Sequence, residues 1–153
     1  MIKEQRGIYI PEQDTATFWG KNFEVREYNR LSLNGKLAID IGAHVGIWTR
    51  RLAKDFENVI AFEPLQKHIE CHKKNCEGLD NVTLHEVAMS NENGTNTIRT
   101  TNFNSGMSTL IKKRKTKNSS THTIETRTLD SFDLPEMDFI KIDVEGWEQQ
   151  VLE

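Results

Sequence analysis

The segment 40–46 combines an acidic residue with a backbone that can turn sharply. It reads Asp-Ile-Gly-Ala-His-Val-Gly, so Asp40 stands just ahead of the first glycine, Gly42. Gly42 permits a tight turn, and Gly46 removes a side chain where a ligand must come close. A carboxylate at Asp40 would repel a pyrophosphate but would suit the ammonium of an amino-acid moiety. The dinucleotide-binding pattern is not met, because His44 occupies the position of its second glycine.

A second carboxylate, Glu63, ends the next apolar segment and is followed by Pro64. A carboxylate at a strand end can accept hydrogen bonds from both hydroxyls of a ribose. S-adenosylmethionine contains a ribose and an amino acid but no phosphate, so it fits Asp40 and Glu63 together. The alternative role for Asp40 is a structural or helix-capping carboxylate. The alternative ligand is a dinucleotide such as NAD.

Three further charged residues, Lys141, Asp143 and Glu145, share one face of the apolar segment 137–144 and the turn after it. A lysine in a buried strand is costly unless it is paired, so we expect Asp40 or Asp143 to be its partner. Asp143 would lie beside Asp40 if their strands are neighbours. It could help to hold the cofactor, or it could face the acceptor, the second substrate of the reaction. Glu145 could be the general base that removes the acceptor's proton. Equally, it could only begin the final helix, where the helix dipole favours a carboxylate.

The elements that must position these residues alternate between strands and helices. Short apolar runs predict strands buried on both faces at 36–42, 58–64, 81–89 and 137–144. Periodic segments predict helices at 46–55, 65–76 and 147–153. This order predicts an α/β fold of the Rossmann-like type, a parallel sheet with helices on both faces. Ligands of such sheets bind outside the carboxyl ends of the strands, where the candidate residues fall.

Two regions interrupt this alternation. Residues 1–35 are mixed in character, and we interpret them as an N-terminal extension or lid with a short strand at 8–11. The loosely alternating stretches 95–101 and 124–129 predict the two arms of an excursion. The basic run 112–117 between them is either a solvated loop or a site that attracts an acidic acceptor or a nucleic acid backbone. Nucleic acid is disfavoured, because no aromatic residues are interleaved there.

Composition excludes several classes of protein. A length of 153 residues fits one domain, and we divide it into the extension 1–35 and a cofactor-binding domain 36–153. The formal net charge of -3 is too small to attract nucleic acid or membrane by bulk charge. No apolar run approaches the roughly 20 residues of a membrane span. The N-terminus also lacks the apolar stretch of a signal peptide, so we expect a cytoplasmic protein.

The cysteines and histidines of segment 65–76 suggest no strong metal site. Cys71 and Cys76 do not face each other on a helix, and free thiols fit a reducing cytoplasm. His68, His72 and Cys76 recur every four residues and could form part of a metal-binding face. No fourth ligand is evident nearby, so we predict no metal.

Taken together, the motifs resemble the FkbM-type methyltransferases over about residues 37–152. The similar segments are DIGAHVG at 40–46, FEP at 62–64, KIDVEGWE at 141–148, NSGMSTL at 104–110 and TLD at 128–130. The resemblance implies a class I methyltransferase fold with S-adenosylmethionine as the methyl donor. It also implies O-methylation of a hydroxyl on a sugar, a polyketide or a similar small metabolite.

Carried over residue by residue, the resemblance implies a set of cofactor contacts: Asp40, Gly42, Ala43, His44, Gly46, Glu63 and Pro64. It implies that Ala88 lies by the adenine and that 105–109 forms a loop over the site. Asp143 and Glu145 match the family signature beside the reacting centre. The resemblance does not decide which of these two carboxylates binds the cofactor and which acts on the acceptor.

One departure from the family concerns the C-terminus. Such a domain normally continues past the fourth strand with a helix, a fifth strand and a closing antiparallel pair, so we expect domain 36–153 to be incomplete there. An uncovered central strand invites pairing with another chain. The second hypothesis is therefore a non-catalytic S-adenosylmethionine-binding or interaction module that forms oligomers through its open sheet edge.

Overall fold

The computed structural model describes residues 1–14, 28, 32–101, 110 and 119–153. Its strands are β1 (Ile2–Gln5), β2 (Ile8–Pro11), β3 (Gly35–Ile41), β4 (Phe56–Phe62), β5 (Val82–His85), β6 (Ala88–Met89), β7 (Gly94–Thr101), β8 (Ser119–Arg127) and β9 (Phe139–Ile142). Its helices are α1 (Ile47–Leu52), α2 (Gln66–Asn75) and α3 (Glu148–Leu152), with a 3₁₀ turn at Leu129–Ser131. Within these described ranges, every helix is too short or too polar to cross a membrane.

The centre of the fold is a four-stranded parallel sheet in the order β5-β4-β3-β9. The last five residues of β3, from Leu37 to Ile41, are buried, as the mostly apolar sequence of this strand predicts. β3 and β9 are neighbours, and their register places Asp40 opposite Lys141. The predicted α/β class and the parallel sheet are therefore confirmed.

Alternate residues of β3 point to opposite faces of this sheet, and helices pack against both faces. On one face, Ala38 packs with Leu52 of α1 and with buried residues of β4. On the other face, Ile39 packs in a cluster that includes Val151 of α3. This second cluster contains the following buried residues: Leu37, Ile39, Ile41, Phe62, Met89 and Val151.

The predicted strand 81–89 is wrong in its extent, because the chain divides it between two sheets. β5 extends the central sheet and ends at His85, opposite Phe62. β6 instead pairs with β8 in a three-stranded sheet of order β6-β8-β7. β7 and β8 are antiparallel, so the predicted excursion with two arms is confirmed. The basic run 112–117 and the loop 105–109 lie outside the described residues.

The N-terminal hairpin of β1 and β2 packs against α2. Asn75 of α2 makes this contact, since its side chain accepts a hydrogen bond from the Tyr9 amide (2.7 Å) and donates to the Tyr9 carbonyl (2.8 Å). The same amide group donates to the Val45 carbonyl at 2.7 Å. One buried side chain therefore connects the hairpin to the loop that follows β3.

Alanine substitutions at two glycines with positive φ test how closely the turn after β9 packs against the loop that follows β3. Gly42 (φ 75°) and Gly78 (φ 81°) share the left-handed backbone, but a Cβ at Gly42 would collide with the carbonyl oxygen of Asp143, whereas Gly78 has open space. We expect Gly78→Ala to lower the free energy of unfolding by about 1–2 kcal/mol, the cost of the backbone conformation alone. Gly42→Ala should lower it clearly more in urea denaturation. Equal losses in the two variants would contradict the close approach of the two loops.

Candidate active site

The carboxyl ends of β3, β4 and β9 bring three carboxylates to one edge of the central sheet. Asp40 lies near the end of β3, and Glu63 and Asp143 directly follow β4 and β9. The amides of Gly42 and Ala43 both donate to the carbonyl of Phe62 at 3.0 Å. The Asp143 amide donates to the Ile41 carbonyl at 3.0 Å. Backbone hydrogen bonds therefore lock the loops of all three strands together.

Asp40 is fully buried and is held by two partners. The Thr49 hydroxyl donates to its Oδ2 at 2.7 Å, and the Lys141 ammonium lies 3.1 Å from its Oδ1. Lys141 also donates to the Gly42 carbonyl at 2.9 Å and lies 3.8 Å from Asp143 Oδ2. The expectation that Lys141 is paired is confirmed, and Asp40 is its nearer carboxylate.

Glu63 is also buried, and its carboxylate accepts hydrogen bonds from three directions. The His44 amide donates to Oε2 at 2.9 Å, and the Leu65 amide donates to Oε1 at 3.0 Å. The imidazole Nδ1 of His68 lies 3.0 Å from Oε1. Burial raises the pKa of this carboxyl, but the nearby imidazole and the two amides outweigh burial and hold the pKa below its usual value. Glu63 is therefore an ionised and firmly oriented acceptor.

The loop 42–46 carries three left-handed residues, Gly42, His44 and Gly46. The ring of His44 lies 4.0 Å, centroid to centroid, from the ring of His68. Burial, His68 and Lys141 together lower the pKa of His44 well below its ordinary value, so its imidazole is neutral near pH 7. At Gly46 a Cβ would meet the His72 ring at 2.9 Å, so the loop lies directly against α2.

The turn after β9 presents Asp143 and Glu145. The Asp143 side chain is 55% exposed, whereas Asp40 beside it is completely covered. Glu145 adopts a left-handed backbone with φ 55°. Glu148 fixes this turn, because its Oε1 accepts hydrogen bonds from the amides of Val144 (3.1 Å) and Gly146 (3.0 Å). Glu148 was not predicted to take part in the site, although an acidic residue in the first turn of a helix indicates such a role.

Pro64 and Ala88 are the two remaining predicted cofactor contacts. Pro64 is partly buried and directly follows Glu63. Ala88 belongs to β6 and packs in an apolar cluster with Leu65, Ile98, Leu110 and Ile124. The predicted residues of β3, β4 and β9 therefore lie at one edge of the central sheet. Ala88 lies in an apolar cluster with Leu65, whose amide donates to Glu63.

Three buried polar residues contact the site and were not predicted to do so: Thr49, His68 and His72. The sequence showed the spacing of the histidines on α2 but not what they face. In the part of the chain that the structure describes, no group of three or more His, Cys, Asp or Glu side chains could hold a metal ion.

The parallel sheet and its crossover helices define a Rossmann-like α/β domain, with the carboxylates at the carboxyl ends of its strands. Residues 40–153 match the model of the methyltransferase FkbM domain, which is most of the chain. The chain therefore belongs to the FkbM methyltransferase domain family, and the resemblance of its motifs to that family is confirmed.

The solved structures that match the chain include the following two. The methyltransferase FkbM from Methylobacillus flagellatus KT is 21% identical with a TM-score of 0.49, and the match covers 77% of this chain and 28% of that protein. DhpI, solved as a complex with SAH, is 19% identical with a TM-score of 0.39, and the match covers 46% of this chain and 34% of DhpI. The chain thus spans about a third or less of either protein. No curated protein matches it.

Removing Lys141 tests whether the buried pair holds the strand ends together. We expect Lys141→Met to lower the free energy of unfolding by about 3–5 kcal/mol, because it leaves Asp40 buried without its cation. The double variant Asp40→Asn/Lys141→Met should recover part of that loss. As a matched control, Lys73→Met removes the exposed ion pair with Glu86 and should cost about 0–1 kcal/mol. Similar losses in both single variants, measured by chemical denaturation, would show that the buried pair is not special.

Proposed function

We propose that the chain forms the S-adenosylmethionine-binding half of a methyltransferase that methylates a hydroxyl group on a small metabolite or sugar. Residues 36–153 would supply the cofactor site, and residues 1–35 would act as an extension. Membership of the FkbM methyltransferase domain family supports the reaction class. The single observation that supports the cofactor most directly is the buried, ionised and oriented carboxylate of Glu63 at the end of β4.

The charges at the strand ends fit this cofactor. Among the described residues, the three carboxylates Asp40, Glu63 and Asp143 lie at these strand ends with a single lysine, Lys141, beside them. This surplus of carboxylates favours a ligand with an ammonium and a sulfonium and opposes a pyrophosphate. The same balance disfavours the alternative reading of a dinucleotide site.

Glu63 suits the ribose hydroxyls. Each carboxylate oxygen has two lone pairs. Among the described residues, Oε1 receives two donors and Oε2 receives the His44 amide, which leaves Oε2 with acceptor capacity. We propose that this oxygen accepts a ribose hydroxyl. Pro64, which follows Glu63, and Ala88, which packs in the apolar cluster with Leu65, would line the adenine side.

The loop 42–46 and Asp143 suit the amino-acid end of the cofactor. Asp40 is fully covered, so it acts on this end through Lys141 and through the shape of the loop. Asp143 is more than half exposed at the same edge. We propose that Asp143 meets the cofactor ammonium, while Gly42, Ala43, His44 and Gly46 bring the backbone close to it.

When bound, the cofactor supplies a methyl group that an acceptor oxygen takes up as the C–S bond breaks and leaves its electron pair on sulfur. The protein's part is to align the two reactants and to accept the hydroxyl proton. We propose Glu145 as the proton acceptor, because Asp143 is assigned to the cofactor ammonium and Glu145 lies two residues further along the same turn. Glu148 holds the turn that carries Glu145, through the amides on either side of it.

A second candidate function is a non-catalytic interaction module. Within the described ranges, β9 pairs on one side with β3 and is the last strand in its sheet. The outer edge of a terminal strand can pair with a second copy of the chain. A stable oligomer that binds cofactor but never turns over would favour this function. A monomer that turns over would exclude it.

Calorimetric titration with S-adenosylhomocysteine tests the cofactor site. We expect saturable binding that Glu63→Gln weakens by about 10-fold to 100-fold, because a charge-assisted hydrogen bond to the ribose is lost. Glu86→Gln, a change at an exposed glutamate paired with Lys73, is the matched control and should bind like the parent. Binding of NAD in place of S-adenosylhomocysteine, or unchanged affinity in Glu63→Gln, would contradict the proposal.

Turnover with a panel of hydroxylated acceptors separates the roles of Asp143 and Glu145, the two carboxylates of the turn after β9. Glu145→Gln should lower kcat by about 10²-fold to 10⁴-fold, the usual contribution of a general base, and leave the affinity for S-adenosylhomocysteine unchanged. Asp143→Asn should mainly weaken cofactor binding. The reverse pattern would exchange the two roles, and unchanged rates in both variants would place the reacting centre elsewhere.

A further inference from the structure

Helix α2 presents two buried imidazoles to the candidate site from successive turns. His68 and His72 are 4% and 1% exposed. Residues four apart lie on the same face of a helix, so both rings point towards the sheet. Such imidazoles either only fill the core or also orient side chains at the carboxyl ends of the strands.

His68 contacts the Glu63 carboxylate directly. Its Nδ1 lies 3.0 Å from Oε1, the same oxygen that accepts the Leu65 amide. An ionised carboxylate can only accept, so Nδ1 carries the hydrogen and donates it. The other side of His68 packs against the ring of His44, whose amide donates to Oε2 of the same carboxylate. His68 therefore fixes one oxygen of Glu63 and supports the residue that fixes the other.

His72 reaches the Asp40 carboxylate through one hydroxyl. Its Nε2 lies 2.9 Å from Thr49 Oγ1, and that hydroxyl lies 2.7 Å from Asp40 Oδ2. The hydroxyl hydrogen must point to Asp40, because a carboxylate cannot donate. Thr49 then accepts a hydrogen from His72, so this imidazole carries its hydrogen on Nε2. The chain of donors runs in one direction, from α2 through α1 to β3.

We propose that His68 and His72 are positioning residues that orient the two buried carboxylates of the candidate site, His68 acting on Glu63 and His72 acting on Asp40 through Thr49. The inference rests on the proposed function for what the carboxylates bind. A histidine that merely fills the core needs some hydrogen-bond partner, and any buried carbonyl would satisfy it. Here each imidazole instead ends at a different carboxylate of the site, and the two carboxylates lie on different strands.

The test uses amides that replace one imidazole nitrogen each. Asparagine places an amide nitrogen close to the Nδ1 position, so His68→Asn keeps the donor to Glu63. Glutamine places one close to the Nε2 position, so His72→Gln keeps the donor to Thr49. His68→Leu and His72→Leu keep the apolar volume and remove the donors. The dissociation constant of S-adenosylhomocysteine is measured for all four variants, with thermal unfolding as the check on folding.

We expect His68→Leu to bind S-adenosylhomocysteine about 10-fold to 100-fold more weakly, because it loses a hydrogen bond to the charged Glu63 carboxylate. His72→Leu should bind it about 2-fold to 10-fold more weakly, because it loses a hydrogen bond to the neutral Thr49 hydroxyl. The matched amides should restore most of the affinity. Wild-type affinity in the leucine variants would overturn the proposal, and so would equal losses in the leucine and amide variants, since packing would then be the cause. Where a leucine variant does not fold, the mismatched amides His68→Gln and His72→Asn take its place.

A second readout keeps this inference separate from the proposed function. The pKa of Glu63 is measured from the ¹³C shift of its carboxyl carbon as the pH is changed. His68 lowers this pKa, so His68→Leu should raise it and His68→Asn should raise it less. Failure of the wild-type chain to bind S-adenosylhomocysteine would overturn the proposed function alone. An unchanged Glu63 pKa in His68→Leu would overturn the positioning role of His68.

Discussion

The buried ion pair between Asp40 and Lys141 is the interaction on which the strand ends depend. A carboxylate with no exposed surface requires a cation, and Lys141 reaches it from the neighbouring strand β9. The same ammonium donates to the Gly42 carbonyl, so it ties β9 to the loop after β3 as well. Because Gly42 carries no Cβ, that loop can lie against the carbonyl of Asp143. The pair therefore sets the spacing between the two loops that form the candidate site.

Around this pair, the carboxylates are oriented by groups from several elements. Glu63 is held by two backbone amides and an imidazole of α2, and Asp40 is held by Thr49 of α1 and by Lys141 of β9. Side chains that are fixed in this way lose little freedom when a ligand arrives, which favours binding. Asp143 and Glu145 differ, since they lie on a turn that Glu148 fixes through backbone amides. The site therefore combines carboxylates that several elements hold with a turn that one helix holds.

Much of the fold could be predicted, because continuous apolar runs and alternating runs identify strands locally. The parallel strands, the two arms β7 and β8 and the pairing of Lys141 with a carboxylate follow from such patterns and from the cost of a buried charge. The division of segment 81–89 between two sheets did not follow, because a strand's own sequence does not say which neighbour it pairs with. The hydrogen bonds that connect Thr49, His68 and His72 to the carboxylates were not predicted, for a related reason. Helical spacing shows which residues share a face, but the partner of that face depends on how the elements pack.

A structure of the chain with bound S-adenosylhomocysteine would show where the proposed cofactor lies. We expect the ribose hydroxyls within hydrogen-bonding distance of the Glu63 carboxylate and the amino-acid end of the ligand against the loop 42–46, with the Asp40–Lys141 pair intact. A ligand bound away from the ends of β3 and β4, or an Asp40–Lys141 pair that opens to admit it, would overturn the proposed site.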